Sequence, residues 1–597
     1  MRHAVVLLAM CVVPVHITAR LASAQADNLP STPESVALVD RLNDFEADRR
    51  ALSSFYPMSF DGPSLDRLER LYRESQAGLG SIDFGALDQQ GRIDYLLFRT
   101  HLEAQLDELA LSRRRLDDMR PLVPFADTVA ALERERVAMR SLDYAAVASL
   151  LDGLEAEVKS LRERIEQGRK NRDGEPAEPA GDTAALGVSP VLANRAAGLV
   201  WEVRRTLDHW YEYRDGFEPE FGWWVKAPRE KASAALEEYA KYLAETVAGV
   251  KGEDDDPMIG DPIGPEKLLG DLRAEWIPYA PEELIEIAEK EFAYCEGEMR
   301  AAAEEMGLGG DWKAALGRVK ESYVDPGEQD DLVAFLAQEA IDYVTENHLV
   351  TIPPLCEELW RLEMIPARNQ RYWPFAFYGG NHMGVAYPTS DMSHEDKLMS
   401  MRGNNRHFTR AVVHHELIPG HHLQGFMAQR ERPYRRMFST PFLGEGWCLY
   451  WELLLYDRGF PQTPEDRIGM LFWRMHRCAR IIVSLRFHLG EMAPQEMVDF
   501  LVERVGHERF GAASEVRRYI GGQYSPLYQC AYMVGGLQLR ALAAEVRAAG
   551  RATAQEFHDA VLLQGPIPVE LIRAALIETP LTAESESGWR FAEPGGP

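Results

Sequence analysis

The segment His414-His415-Glu416-Leu417-Ile418-Pro419-Gly420-His421-His422 constrains the fold more than any other stretch of the chain. Four imidazoles and a carboxylate fall within nine residues, and a proline–glycine pair divides them. On a continuous helix, histidines at i and i+4 share one face. Here position i+4 from His415 is Pro419, and the next histidines stand at i+6 and i+7. Position i+6 lies about 240° round a helix from i, while i+7 returns to the face about 10 Å along the axis. An unbroken helix therefore cannot bring His415 and a later histidine to one point. Proline removes a backbone N–H and disrupts the turn before it, and glycine tolerates unusual dihedrals. A bend at Pro419-Gly420 that sets His421 beside His415 is the physical requirement of a site built here.

Such a site has a chemistry. Neutral imidazole is a good zinc ligand, and a glutamate beside it can serve as general base toward water. A third protein ligand is needed. About 24 residues after His421 comes Leu443-Gly444-Glu445-Gly446-Trp447-Cys448-Leu449-Tyr450-Trp451-Glu452. Glu445 and Glu452 are seven apart, so on a helix they share a face but stand two turns apart, and one of them at most binds the same ion. Two histidines and a glutamate, with one position left open, form a common catalytic zinc set.

These two segments resemble the bacterial DUF885 family, grouped with gluzincin-type zinc metallopeptidases. The family pattern reads H-E-x-x-P-G-H-H-x-Q, then E-G-W-A-L-Y-x-E. The resemblance implies a mainly α, large helical zincin-like metallopeptidase with a deep cleft and a short strand element near the active site. It implies Zn2+ held by His415, His421 and Glu445, with Glu416 as general base. It also favours a tyrosine hydroxyl as oxyanion donor, assigned here to Tyr532, within Pro526…Tyr532…Gly535. Glu515-Val516-Arg517-Arg518-Tyr519 matches the family's E-V-x-R-Y texture. His488 matches a helical D-x-G-x-H histidine, but Ser484 and Arg486 replace the Asp and Gly there. His414, His422 and Glu452 read as supporting or packing residues. The expected substrate is a short peptide. Alternatives are a zinc amidohydrolase acting on other amides, or a periplasmic metal- or solute-binding protein without turnover.

The rest of the chain sets the frame. Residues 1–24 read as a signal peptide: Arg2, an apolar run from Ala4 to Val15, then Ala22-Ser23-Ala24 as an A-x-A cleavage pattern. The expected location is the periplasm or the medium, with no membrane partner after cleavage. Lys and Arg total 65 against 94 Asp and Glu, a formal charge of −29, which argues against nucleic acid as a partner. Cys295, Cys356, Cys448, Cys478 and Cys530 are odd in number and widely spaced, which fits neither a disulfide framework nor a cysteine zinc site and leaves room for one bridge in an oxidising compartment.

From Pro33 to Val250 apolar residues recur at helical spacing, as in Leu151-Leu154-Val158-Leu161-Ile165. Breaks are expected at residues 168–190 and 252–264, with helices resuming at about Pro281. The organisation expected is one body overall, with an N-terminal helical region over 25–260 and a catalytic region with the zinc site over 261–597. Arg371 to Ser390 is aromatic, glycine-containing and poorly helical, and reads as one or two short strands beside the cleft or as a packed loop.

Overall fold

A computed structural model of the chain describes residues 31–172, 185–252, 257–370, 373 and 375–594. The expected signal peptide lies outside the described residues. The architecture is mainly helical. Long helices run over Pro33–Phe55, Gly62–Leu79, Gln89–Met119, Tyr144–Arg172, Pro190–Glu212 and Pro219–Lys241. Several start alike, with a side chain capping the first turn and proline at its head: Thr32 caps the first, Asp61 the second and Ser189 the fifth.

Two expected breaks shift. The helix from Tyr144 continues through Arg172, four residues past the start of the loop expected at Gly168, and residues 173–184 of that loop lie outside the described residues. Helical structure also resumes earlier than Pro281, at Gly264–Ala274, because Leu268 and Leu272 supply an apolar face one turn apart. The helix expected at Pro281 is present over Pro281–Glu305.

The buried core is not divided at residue 260. Leu38, Leu42, Phe45 and Leu96 pack into the same apolar cluster as Trp447, Ile481 and Tyr532. A second cluster gathers residues between Met58 and Ala248, including Trp210, Phe221 and Tyr239. Among the described residues, no helix is long and apolar enough to cross a membrane.

Three short strands form one sheet: β1 (Leu362–Met364), β2 (Ala376–Tyr378) and β3 (Met383–Val385). The order is β1-β3-β2, with β1 parallel and β2 antiparallel to β3. Two of the three lie in the aromatic segment read as strand or loop. β2 is therefore an edge strand. Met383 and Val385 of β3 pack on Val413 and Leu417, which ties the sheet to the histidine segment.

Six helices carry the residues of interest: α1 (Arg406–Glu416), α2 (His421–Ala428), α3 (Pro441–Asp457), α4 (Pro464–His488), α5 (Arg509–Ile520) and α6 (Tyr528–Ala548). α3 and α6 cross at two glycines. A Cβ on Gly535 would lie 1.8 Å from the Phe442 carbonyl oxygen, and one on Gly446 would lie 2.6 Å from Gly535 Cα. Both obstacles are backbone, so neither can swing aside. Gly535→Ala gains about 1 kcal/mol of helix propensity. Overpacking at such a contact costs about 1–3 kcal/mol, and a clash with backbone falls at the upper end. The expected result is a lower thermal midpoint for Gly535→Ala, read by circular dichroism; an unchanged or raised midpoint would contradict the close crossing.

Candidate functional site

α1 ends at Glu416, and its capping residue Leu417 leaves the helical conformation (φ −101°, ψ −114°). The Ile418–Pro419 peptide is cis, and α2 begins at His421. The turn is closed by its own backbone. The His422 amide donates to Leu417 O at 3.0 Å. A Cβ on Gly420 would lie 1.8 Å from the His415 carbonyl oxygen, so a side chain at this position would force the turn open. Trp447 Nε1 on α3 donates to Pro419 O at 2.8 Å and pins the turn from outside. Leu417 and Ile418, both 1% exposed, anchor it in the core.

The bend has the outcome the spacing demands. The rings of His415 and His421 lie 5.0 Å apart, nearly perpendicular at 81°. Glu445 of α3 meets both. Its Oε2 stands 3.4 Å from His415 Nε2 and 3.2 Å from His421 Nε2. On the far side of the first ring, His415 Nδ1 donates to Glu452 Oε1 at 2.7 Å. The two carboxylates, two turns apart on α3, thus take different nitrogens of the one imidazole.

The other sequence-selected histidines point elsewhere. His422 has both nitrogens engaged, Nδ1 with the Tyr378 hydroxyl at 3.0 Å and Nε2 with the Cys356 carbonyl at 2.8 Å. His414 is fully buried edge-on to Phe460, and burial holds its pKa down to about 4. His488 packs edge-on against Phe487, is held down to about 4 chiefly by burial, and does not line the cavity described next.

A cavity of about 430 Å³ opens on the cluster. His415, Glu416, His421 and Glu445 share its wall with β2, whose Phe377 and Tyr378 line it. Tyr528 and Tyr532, one turn apart on α6, line it as well. The Tyr532 ring stacks on His415 at 6.0 Å. The Tyr528 hydroxyl donates to Glu445 Oε1. The sequence reading selected Tyr532 and missed Tyr528. The available signal was helical: positions 528, 532 and 535 fall on one face, the face that meets Glu445-Gly446 at the glycine crossing.

Charge in the cluster is strongly coupled. Burial opposes the charged form of Glu445, yet the imidazoles of His421 and His415 hold its carboxyl well below the usual range. Burial likewise opposes a charged His415, but hydrogen bonds to Glu445 and Glu452 raise it to about 9. Tyr532 is pushed up to about 12, by burial first and then by Glu445. Burial, then the neighbouring Tyr532 and Glu445, push Tyr528 up as well.

Whether these donors suit a zinc ion can be tested on their spacing. Ligand atoms about 2.0–2.2 Å from one ion at tetrahedral angles stand roughly 3.3–3.5 Å apart. The two nitrogen–oxygen separations, 3.2 and 3.4 Å, agree with that edge length. The Glu452 carboxylate behind His415 Nδ1 is the outer partner that metal-bound imidazoles commonly have. Cys448 complicates the choice of third donor, since its sulfur lies within 4.8 Å of ligand atoms on both histidines. Burial and the surrounding Glu445, Glu416 and Glu452 push that thiol's pKa up, whereas Glu445 Oε2 already meets both Nε2 atoms, at 3.4 and 3.2 Å. The donor set that fits is therefore His415, His421 and Glu445. All five described cysteines are free and buried.

Several solved structures share the fold, among them two bacterial proteins. One, described as a "putative lipoprotein of unknown function" from Shewanella oneidensis, aligns with a TM-score of 0.65 at 17% identity, over 90% of this chain and 98% of that one. The other, a "putative lipoprotein" from Colwellia psychrerythraea, aligns with a TM-score of 0.57 at 16% identity, over 91% and 98%. No curated protein matches the chain. The sequence from residue 59 to 576, most of its length, matches the family described as bacterial protein of unknown function, DUF885, and the chain belongs to that family.

Proposed function

We propose that this chain is an exported, gluzincin-type zinc hydrolase that cleaves peptide bonds in short peptides. The observation that carries the reading is the convergence of two imidazole Nε2 atoms on one carboxylate oxygen, at 3.2 and 3.4 Å, with Glu416 beside them on the wall of an open cavity. A cation held by His415, His421 and Glu445 would polarise a carbonyl and make water more acidic.

The chain's own residues supply the remainder. Glu416, the last residue of α1, accepts the proton of the attacking water and passes it to the departing amine. Tyr532, held protonated, serves as the hydrogen-bond donor to the developing oxyanion, while the Tyr528 hydroxyl is spent on Glu445 and steadies that carboxylate. Glu452 fixes the tautomer of His415, so that Nε2 presents its lone pair to the cation. β2, an edge strand on the cavity wall, can pair with an extended substrate backbone.

The test is metal analysis joined to a peptide assay on the purified mature chain. The expected result is one zinc per chain and hydrolysis of short unmodified peptides, lost on chelation and restored by zinc. Zinc without hydrolysis of any amide would leave a metal-binding protein. Hydrolysis that survives complete metal removal would contradict the mechanism.

A further inference from the structure

Beside the imidazole cluster, the cavity wall carries three guanidinium groups. Arg477 and Arg480 of α4 and Arg518 of α5 all line it. Arg480 Nη2 and Arg518 Nη2 donate to the same oxygen, Glu515 Oε2, at 2.8 and 3.1 Å, and the Tyr519 hydroxyl donates to that oxygen as well at 2.7 Å. Arg480 Nε is taken up by His476 and the Tyr519 hydroxyl, both at 3.0 Å. One carboxylate thus serves two guanidinium groups.

Arg477 has less. It is 7% exposed, and its Nε is buried without a hydrogen-bond partner. Its approach to a carboxylate is Nη2 to Glu452 Oε1 at 3.7 Å, too long for a hydrogen bond. That same Glu452 oxygen already accepts from His415. The guanidinium is held over the rings of Tyr532 and Trp473, at 4.6 and 5.3 Å. Rings attract a cation and fix its plane but leave its N–H groups unspent. A buried charge that forgoes hydrogen bonds is costly, and buried charges are ordinarily paired. Its fork matches a carboxylate in two parallel hydrogen bonds.

We infer that Arg477, backed by Arg480 and Arg518, is a substrate-binding residue that anchors a carboxylate of the peptide. The inference rests on the proposed hydrolase reading and adds the substrate class. The Tyr532 ring touches both Arg477 and His415, with the guanidinium 4.6 Å and the imidazole ring 6.0 Å from its centre. Successive Cα atoms are 3.80 Å apart. An anchor one ring away from the cluster therefore suits a carboxylate one or two residues from the scissile bond. That carboxylate is either the free C-terminus or an acidic side chain near it.

The test measures binding by calorimetry to zinc-loaded Glu416→Gln protein, which holds substrate without consuming it. Two matched pairs of short peptides serve as probes. One pair is a neutral peptide as free acid and as C-terminal amide; the other is an amidated peptide with Glu or Gln as its last residue. The expected result is about 10-fold to 100-fold tighter binding of the carboxylate member in one pair. Preference for the free acid assigns the terminus, and preference for the Glu peptide assigns the side chain. Adding Arg477→Met abolishes the preference, and Arg477→Lys restores part of it. Equal binding within both pairs, or a preference that survives Arg477→Met, overturns the inference. The wild-type residue at 477 already decides the first point, so the test stands even where Arg477→Met fails to fold. Zinc content and turnover of the wild-type chain are read separately, so loss of the carboxylate preference is not confused with failure of the hydrolase reading.

Discussion

Glu416→Gln is expected to retain zinc and to lower peptide turnover by about 10²–10⁴-fold, the range that a positioned general base contributes. Glu416 is half-buried at the end of α1, on the cavity wall, and is not one of the three proposed ligands. Glutamine keeps its size and hydrogen-bonding reach but cannot accept the proton. The variant therefore separates two roles that a larger change would mix. Steady-state kinetics on a short peptide, with zinc measured on the same preparation, checks it. Near-normal kcat in a zinc-replete variant would remove Glu416 from the mechanism.

The second large effect concerns metal retention. His415→Ala deletes one proposed donor and the partner of both carboxylates, so it is expected to lose zinc on dialysis and with it all turnover. Glu445→Gln should follow it. Glu452→Gln should be milder, weakening zinc by about 10–100-fold, because Glu452 reaches His415 through Nδ1 and acts by orienting it. Cys448→Ser should leave zinc binding unchanged. Competition titration against a chelator of known affinity ranks the four. If Cys448→Ser lost zinc and Glu445→Gln kept it, the third donor would be sulfur, and the carboxylate would be a hydrogen-bond partner of the histidines.

The site was more legible than its surroundings. Spacing alone required a bend between His415 and His421, because no regular helix satisfies i+6, and the turn at 417–420 supplies it. The spacing of Glu445 and Glu452 forbade a shared ion, and the two carboxylates do take opposite nitrogens of His415. Arg477 was not legible, and Tyr528 was legible only as a residue one helical turn from Tyr532. Their importance comes from which neighbours α4 and α6 meet, and α6 is placed by the crossing at Gly446 and Gly535. A pair of glycines 89 residues apart carries no local signal. The same holds for the core: Leu38 and Trp447 share one cluster, and local periodicity says nothing of such distant pairing. The helix running past Gly168 reflects a smaller matter, since a polar run such as Arg169-Lys170-Asn171-Arg172 has no apolar pattern from which its extension could be read.

The most direct measurement is an anomalous difference map at the zinc edge from crystals of the zinc-loaded chain. The account predicts one peak about 2.0–2.2 Å from His415 Nε2, His421 Nε2 and a Glu445 carboxylate oxygen. A peak elsewhere, or no peak with the three side chains hydrogen-bonded to one another as they stand, would contradict it.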